Sequence, residues 1–342
     1  MKALIKARPQ EGADFTETTT PNIMPNEVLV KVHTASVCGT DLHIYGWDEW
    51  AASRMKIPMV FGHECSGEVV EIGSEVREIK VGSHVSVETH ILCGKCVQCK
   101  TGLKHLCQNV KVVGIDRPGA FAQYLALPAE NVWINDSSLP FEIGTVLEPF
   151  GNAVYVVNSG EVSGKHVLIT GCGPIGMMAT QLARAMGALS IYVADIHPYR
   201  LALGRKMGAT KTINTKTEDL YASIMALTHG QGVDVLLEMS GACEGIAQGF
   251  RCLRNGGTAV VFGLPNKPIP FDLANHVILK GAKVLGVFGR EIYRTWFQAK
   301  ELIDSGRVDL HEIVTHQFPL EKFPDAMKLL ESGECGKVVL RI

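Results

Sequence analysis

From residue 28 to 37 the chain reads VLVKVHTASV, apolar and polar side chains alternating, and GEVVEIG, HVSVE and FAQYLALP repeat the pattern downstream. A period of two marks half-buried strands. With Gly73, Gly82 and Gly119 as punctuation, residues 1 to 145 are expected to form a barrel-like β domain. From about 150 the rhythm changes to short apolar strands, HVLIT, IYVAD, VDVLLEM, TAVVFG and KVLGVFG, separated by helical stretches. That alternation predicts βαβ units around a parallel sheet.

Between the first two of these strands, PIGMMATQLARAMG opens with Pro174 at a helix start and ends at Gly187. Ile175, Met178, Ala179, Leu182 and Met186 fall on one face, so its methionines are expected in the core. EIYRTWFQAKELIDSG and AMKLLESG read as helices, and KVVLRI as a final strand. Periodicity alone leaves open whether this tail extends the parallel sheet or returns to the first domain.

At 342 residues the chain exceeds the length at which one core stops growing, so two domains are expected. A net charge of -2 gives no reason to expect nucleic acid as partner. No apolar run approaches the ~18 residues that cross a bilayer. Without a secretion signal, ten cysteines fit a reducing, cytoplasmic setting, where clustered thiols bind metal more often than they form disulfides. Cys65, Cys172, Cys243, Cys252 and Cys335 read as small hydrophobes.

The other five carry chemistry. Cys93, Cys96, Cys99 and Cys107 have the spacing C-x2-C-x2-C-x7-C within LCGKCVQCKTGLKHLC. Four thiolates suit tetrahedral zinc and leave no open position, which marks a structural site. The competing iron–sulfur reading requires a shorter last spacing followed by proline, whereas Gln108 follows Cys107. Cys38 in SVCGTDLHIYGWDEW, with His63 and Glu64 in VFGHECSGE, would give a second zinc three protein ligands and one open position. Such an ion is a Lewis acid for an alcohol oxygen. Thr40 and His43, three residues apart, could share a helical turn and carry the released proton to solvent. Glu148 in LEPFGNAV reads equally as an acid reaching the zinc shell or as a helix-start carboxylate.

Strand HVLIT runs into GCGPIG, giving Gly171, Gly173 and Gly176 at the dinucleotide-binding spacing with a helix behind them. Asp195 closes the next strand, where a carboxylate takes the ribose hydroxyls and repels a 2′-phosphate, so NAD is expected over NADP. Arg200 could welcome that phosphate. With Asp195 in place it reads as an adenine or ribose contact.

These residues in this order resemble the zinc-containing medium-chain alcohol dehydrogenase family, over essentially the whole chain. The resemblance implies an α/β protein, with a chaperonin-10-like β-barrel catalytic domain and a Rossmann-type doubly wound NAD-binding domain. Residues 1–147 would form the catalytic zinc-binding domain, with 291–342 returning to it, and 148–290 the NAD-binding domain. It implies two zinc ions per subunit, Ile175, Phe262, Gly263, Leu264, Val287 and Phe288 lining the NAD site, and a homotetramer. Within the family CGTDLHIYGWDEW, LEPFGNAV, LLEMSG and FGREIYRTWF are similar to members that oxidise L-threonine to 2-amino-3-oxobutanoate. Such members couple to a glycine C-acetyltransferase that consumes the unstable product. Glu148 is one methylene longer than the aspartate of the related LDPFG pattern. Trp47, Asp48, Glu49, His90 and Arg290 are candidates for meeting the charged ends of an amino acid. A polyol or 2,3-butanediol dehydrogenase is the nearest alternative, and a zinc-stabilised binding module the alternative from another class. A zinc-free quinone reductase would lack both cysteine sets.

Overall fold

A computed structural model describes residues 1–265 and 267–342. The chain divides into two compact units, one of Met1–Glu148, Val314–Ser332 and Lys337–Ile342, the other of Pro149–Ile313 and Gly333–Gly336.

The first unit is built on one long strand, Glu27–Ser36. It pairs antiparallel with Glu64–Ile72, Tyr124–Pro128 and the last strand of the chain, Lys337–Arg341. His84–Val87 and Val132–Ile134 extend the sheet on one side, and Val314–Pro319 on the other. The alternation in VLVKVHTASV predicts one buried face, but Thr34, Ala35 and Ser36 are all buried. Polar partners explain this. Thr34 donates to the carbonyl of Phe141 at 2.8 Å, and Ser36 hydrogen-bonds Glu64.

The second unit holds six parallel strands in the order Lys211–Asn214, Ser190–Asp195, His166–Thr170, Val233–Glu238, Leu253–Val261 and Lys283–Gly286. The order reverses beside His166–Thr170, the first strand of this unit, and such a switch point is where doubly wound sheets bind ligands. The helix Pro174–Ala185 buries Met178, Ala179 and Leu182 as expected, with Met177, Thr180 and Ala183 besides. Ile175 and Met186, expected on that face, are only half-buried.

The return to the first unit begins at Val314 rather than at the expected 291. The helix Arg294–Asp304 stays with the second unit because Gln298 accepts from Asn158 at 2.8 Å and Arg290 donates to Asn152 at 3.3 Å. Two hydrogen bonds between Gln181 and the backbone of Asp309 hold the segment that follows.

Just ahead of Glu148, Phe141 is stacked on His33 at 4.2 Å and packed against His84 at 4.2 Å. Burial holds both imidazoles below their ordinary range, Lys31 adding to the effect at His33 and Asp136 opposing it at His84. Depressed folded pKa values mean that the unfolded chain takes up these protons first. Their stabilisation is complete above the unfolded value of about 6.5 and is lost as pH falls through it towards the folded values. The unfolding temperature is therefore expected to drop between pH 7 and pH 5, and His33→Phe should flatten that slope. An unchanged slope in the variant would refute the assignment.

Candidate active site and metal centres

The four cysteines of the lobe converge through a short helix and a turn. Cys96 precedes the helix Val97–Lys100, Cys99 lies within it, and Cys107 follows the 3-10 turn Lys104–Leu106. Their sulfurs all lie within 4.8 Å of one another, and Cys96 Sγ is 3.8 Å from Cys107 Sγ. A Zn–S bond of about 2.3 Å puts tetrahedral sulfurs about 3.8 Å apart. Backbone N–H groups of Lys95 and Cys96 lower the Cys93 thiol to about 6, and Asn109 also donates to it. Burial and the neighbouring thiols push Cys99 up to about 12, a crowding that a cation relieves. All ten cysteines are free, which leaves these four available as metal ligands.

Cys38 sits just past the end of the long strand, at the start of the helix Gly39–Gly46. Glu64 begins the neighbouring strand, directly opposite Ser36. Two strand ends thus bring Cys38, His63 and Glu64 together, with ligand atoms all within 4.8 Å. Burial alone would lower the His63 pKa, but its hydrogen bond to Cys38 and the charges of Cys38, Asp41 and Glu64 push it up to about 10. This is the electrostatic signature of a cation site.

Three surrounding residues escaped the sequence reading. Asp41, fully buried, accepts from the backbone N–H of Cys38 at 2.9 Å, and its Oδ1 lies 3.9 Å from His63 Nδ1. Neither of those two atoms has a hydrogen-bond partner among the described residues. Burial raises the Asp41 pKa to about 6, opposed by His63. Ser36 and Lys337 both bind Glu64 Oε2. Burial works to lower the Lys337 pKa, but Glu64 and Cys38 outweigh it and the net shift is upward. With a metal bound, a Cys38 thiolate, the carboxylates of Asp41 and Glu64, a neutral His63 and the Lys337 ammonium would leave two negative charges for a dication to neutralise. Asp41 was visible in CGTD, while nothing local marks Ser36 or Lys337.

Thr40 Oγ1 is 3.8 Å from Cys38 Sγ, and His43, one turn on, is exposed. Glu148 stands in the first turn of the helix Leu147–Gly160, yet it is buried and accepts from Thr89 at 3.1 Å. Arg290 lies buried in the second unit, hydrogen-bonded to Asn152.

In the second unit the three glycines of the loop serve different ends. Gly171 has φ +91, and a Cβ there would come within 2.8 Å of Ser240. A Cβ at Gly176 would lie 2.0 Å from the carbonyl oxygen of Gly171, whereas one at Gly173 would meet nothing within 4 Å. The space at Gly173, before the N-terminus of the helix Pro174–Ala185, suits a pyrophosphate. Asp195 ties its own strand end to the loop, accepting from Cys172 N at 2.7 Å and His197 N at 2.9 Å. Arg200 Nε is buried without a hydrogen-bond partner among the described residues, a donor that a ligand could satisfy. Phe262 and Gly263 are fixed by N–H bonds to the carbonyl of Glu238, Val287 is buried, and Leu264 and Phe288 present exposed apolar surface. The Glu238 side chain, also missed in the sequence, accepts from the N–H groups of Ser240 and Gly241 and so shapes the adjoining loop.

Two family models match the chain: the alcohol dehydrogenase GroES-like domain over residues 24–136 and the zinc-binding dehydrogenase model over 174–305. The chain belongs to the zinc-containing medium-chain alcohol dehydrogenase family. Among its relatives, the L-threonine 3-dehydrogenase of Caldanaerobacter subterraneus subsp. tengcongensis is 48% identical, covering 99% of this chain and 98% of its own. That of Bacillus velezensis is also 48% identical, with the same coverage. The solved 2R,3R-butanediol dehydrogenase of Bacillus subtilis superposes with a TM-score of 0.88 at 27% identity, covering 100% of this chain and 99% of that one.

Proposed function

We propose that this chain oxidises L-threonine to 2-amino-3-oxobutanoate, the first step of threonine degradation to glycine. The substrate gives a hydride from C3 to NAD and a proton from its hydroxyl to solvent. The observation that carries this reading is the incomplete ligand set Cys38, His63 and Glu64, in the same unit as a saturated four-cysteine site. Relatives named for threonine oxidation at 48% identity over nearly the full length supply the substrate.

Cys38, His63 and Glu64 would hold the catalytic zinc, and Cys93, Cys96, Cys99 and Cys107 the structural one. Bound at the first site, zinc polarises the alcohol oxygen and lowers its pKa towards neutrality. The protein moves the proton. Thr40 accepts it at Oγ1 and donates onward to His43, whose exposed ring delivers it to water. Glu148, oriented by Thr89, serves as an auxiliary acceptor. On the cofactor side, N–H groups at the start of the helix Pro174–Ala185 take the pyrophosphate, Asp195 accepts the ribose hydroxyls, and Arg200 donates through Nε. Ile175, Phe262 to Leu264, Val287 and Phe288 line the rest of the NAD site.

The subunits form a homotetramer in this reading, supported by the edge strand Lys283–Gly286, which is exposed at every residue and carries Val284 and Leu285. A cytoplasmic enzyme coupled to a glycine C-acetyltransferase fits the free thiols and the instability of the keto product. The second reading, a 2,3-butanediol or polyol dehydrogenase, is favoured by the likeness to the Bacillus subtilis structure.

Initial rates with L-threonine and either NAD or NADP test the proposal. NAD should be preferred at least about tenfold in kcat/KM, since repulsion between Asp195 and a 2′-phosphate costs on the order of 1.4 kcal/mol or more. Equal rates, or no reduction of either, would overturn it.

A further inference from the structure

Outside the ligand sets, the turn after the helix Gly39–Gly46 places a fixed carboxylate against His43. Trp47 adopts the left-handed conformation at φ 55, ψ 52 and donates its N–H to the carbonyl of His43, as does Asp48 at 3.3 Å. The reversal folds Asp48 back so that its Oδ2 lies 2.5 Å from His43 Nδ1. Its other oxygen, Oδ1, accepts from Ala51 N at 3.0 Å and caps the helix Glu49–Arg54. The Trp50 ring meets the His43 imidazole edge-on at 5.9 Å. Beneath the turn, buried Lys6 donates to the carbonyls of Tyr45 at 2.9 Å and Gly12 at 2.8 Å, and its ammonium lies 5.3 Å from the Trp47 ring.

An ionised carboxylate only accepts, so the proton between the two residues belongs to Nδ1, and the neutral ring keeps its lone pair on Nε2. We propose that Asp48 is a positioning residue, which holds His43 in the Nδ1–H tautomer and in one ring orientation so that Nε2 receives the proton passed on by Thr40. The inference rests on the reading of His43 as a relay. Stability is not the purpose of the contact, because both side chains are nearly half exposed and such pairs add little to folding.

The capping bond makes the test sharp. In Asp48→Asn, keeping Oδ1 on Ala51 turns the side-chain NH2 towards His43, where it donates to Nδ1 and forces the opposite tautomer. Asp48→Ser keeps a cap and removes the contact. In zinc-free protein labelled with ¹⁵N-histidine, Nδ1 of His43 should be protonated in the wild type and bare in Asp48→Asn. In the complete enzyme kcat with L-threonine should fall about ten- to a hundredfold in Asp48→Asn, with KM for NAD and the zinc content unchanged. Asp48→Ser should show a smaller loss, and added imidazole should restore part of the rate in both. His43→Gln separates the two levels. If it leaves kcat unchanged, the relay reading fails and the inference with it. If it lowers kcat while Asp48→Asn keeps both tautomer and kcat, or changes the tautomer alone, the positioning role of Asp48 is overturned.

Discussion

Cys38→Ser is expected to lower threonine oxidation at least about a thousandfold. Polarisation of a substrate oxygen by zinc is worth several kcal/mol, and each 1.36 kcal/mol is a factor of ten in rate. A serine hydroxyl is not deprotonated at neutral pH as a zinc-bound thiol is, so the site keeps only His63 and Glu64. Both belong to a buried cluster that still contains Asp41 and Lys337. The metal count should fall from two zinc ions per chain to one, because the lobe of Cys93, Cys96, Cys99 and Cys107 shares no ligand with this site. Circular dichroism should be unaltered, since Cys38 lies just past the end of a strand already paired on both sides. Elemental analysis beside initial rates checks the prediction. Wild-type turnover with a single remaining zinc would contradict it.

Lys337→Met carries the second large effect, on stability. Lys337 and Glu64 are almost completely buried, at 2% and 1% exposure, and Ser36 shares the same carboxylate oxygen. Removing one partner of a buried ion pair strands the other and costs about 3–5 kcal/mol. In a domain of this size that is a fall of roughly 6 to 20 °C in unfolding temperature. The full loss should appear in chelator-treated protein. With zinc bound, the dication offers Glu64 the positive charge that Lys337 no longer supplies, so the loss should be visibly smaller. Lys337→Arg should recover most of it. Scanning calorimetry with and without chelator checks this, and equal losses in the two states would show that Lys337 does not act through the Glu64 carboxylate.

How far the site could be read from the sequence depended on how local its chemistry is. The four-cysteine lobe closes within 15 residues, so spacing alone specifies donor number and geometry. The glycine loop is equally local: Gly171 and Gly176 each have a steric reason in the fold, and Gly173 leaves open space before the helix. Cys38, His63 and Glu64 were recognisable as residue types, but what surrounds them was not. Lys337 reads as an ordinary cation opening the final strand, and only the return of the chain to the first unit carries it to Glu64. Asp48 was among the candidates for meeting the charged ends of the substrate because it neighbours the zinc segment, whereas the left-handed turn at Trp47 points it at His43. The expected return at 291 came too early because Arg290, Gln298 and Asp309 find hydrogen-bond partners in the second unit, and hydrophobic periodicity is blind to polar partners.

Which alcohol is oxidised is decided by NAD reduction with the zinc-loaded protein, L-threonine, 2,3-butanediol, sorbitol and L-serine being compared at matched concentrations. L-threonine should give the highest kcat/KM, clearly above the other three. A higher value for 2,3-butanediol or sorbitol would contradict the assignment and move this chain to the polyol branch of its family.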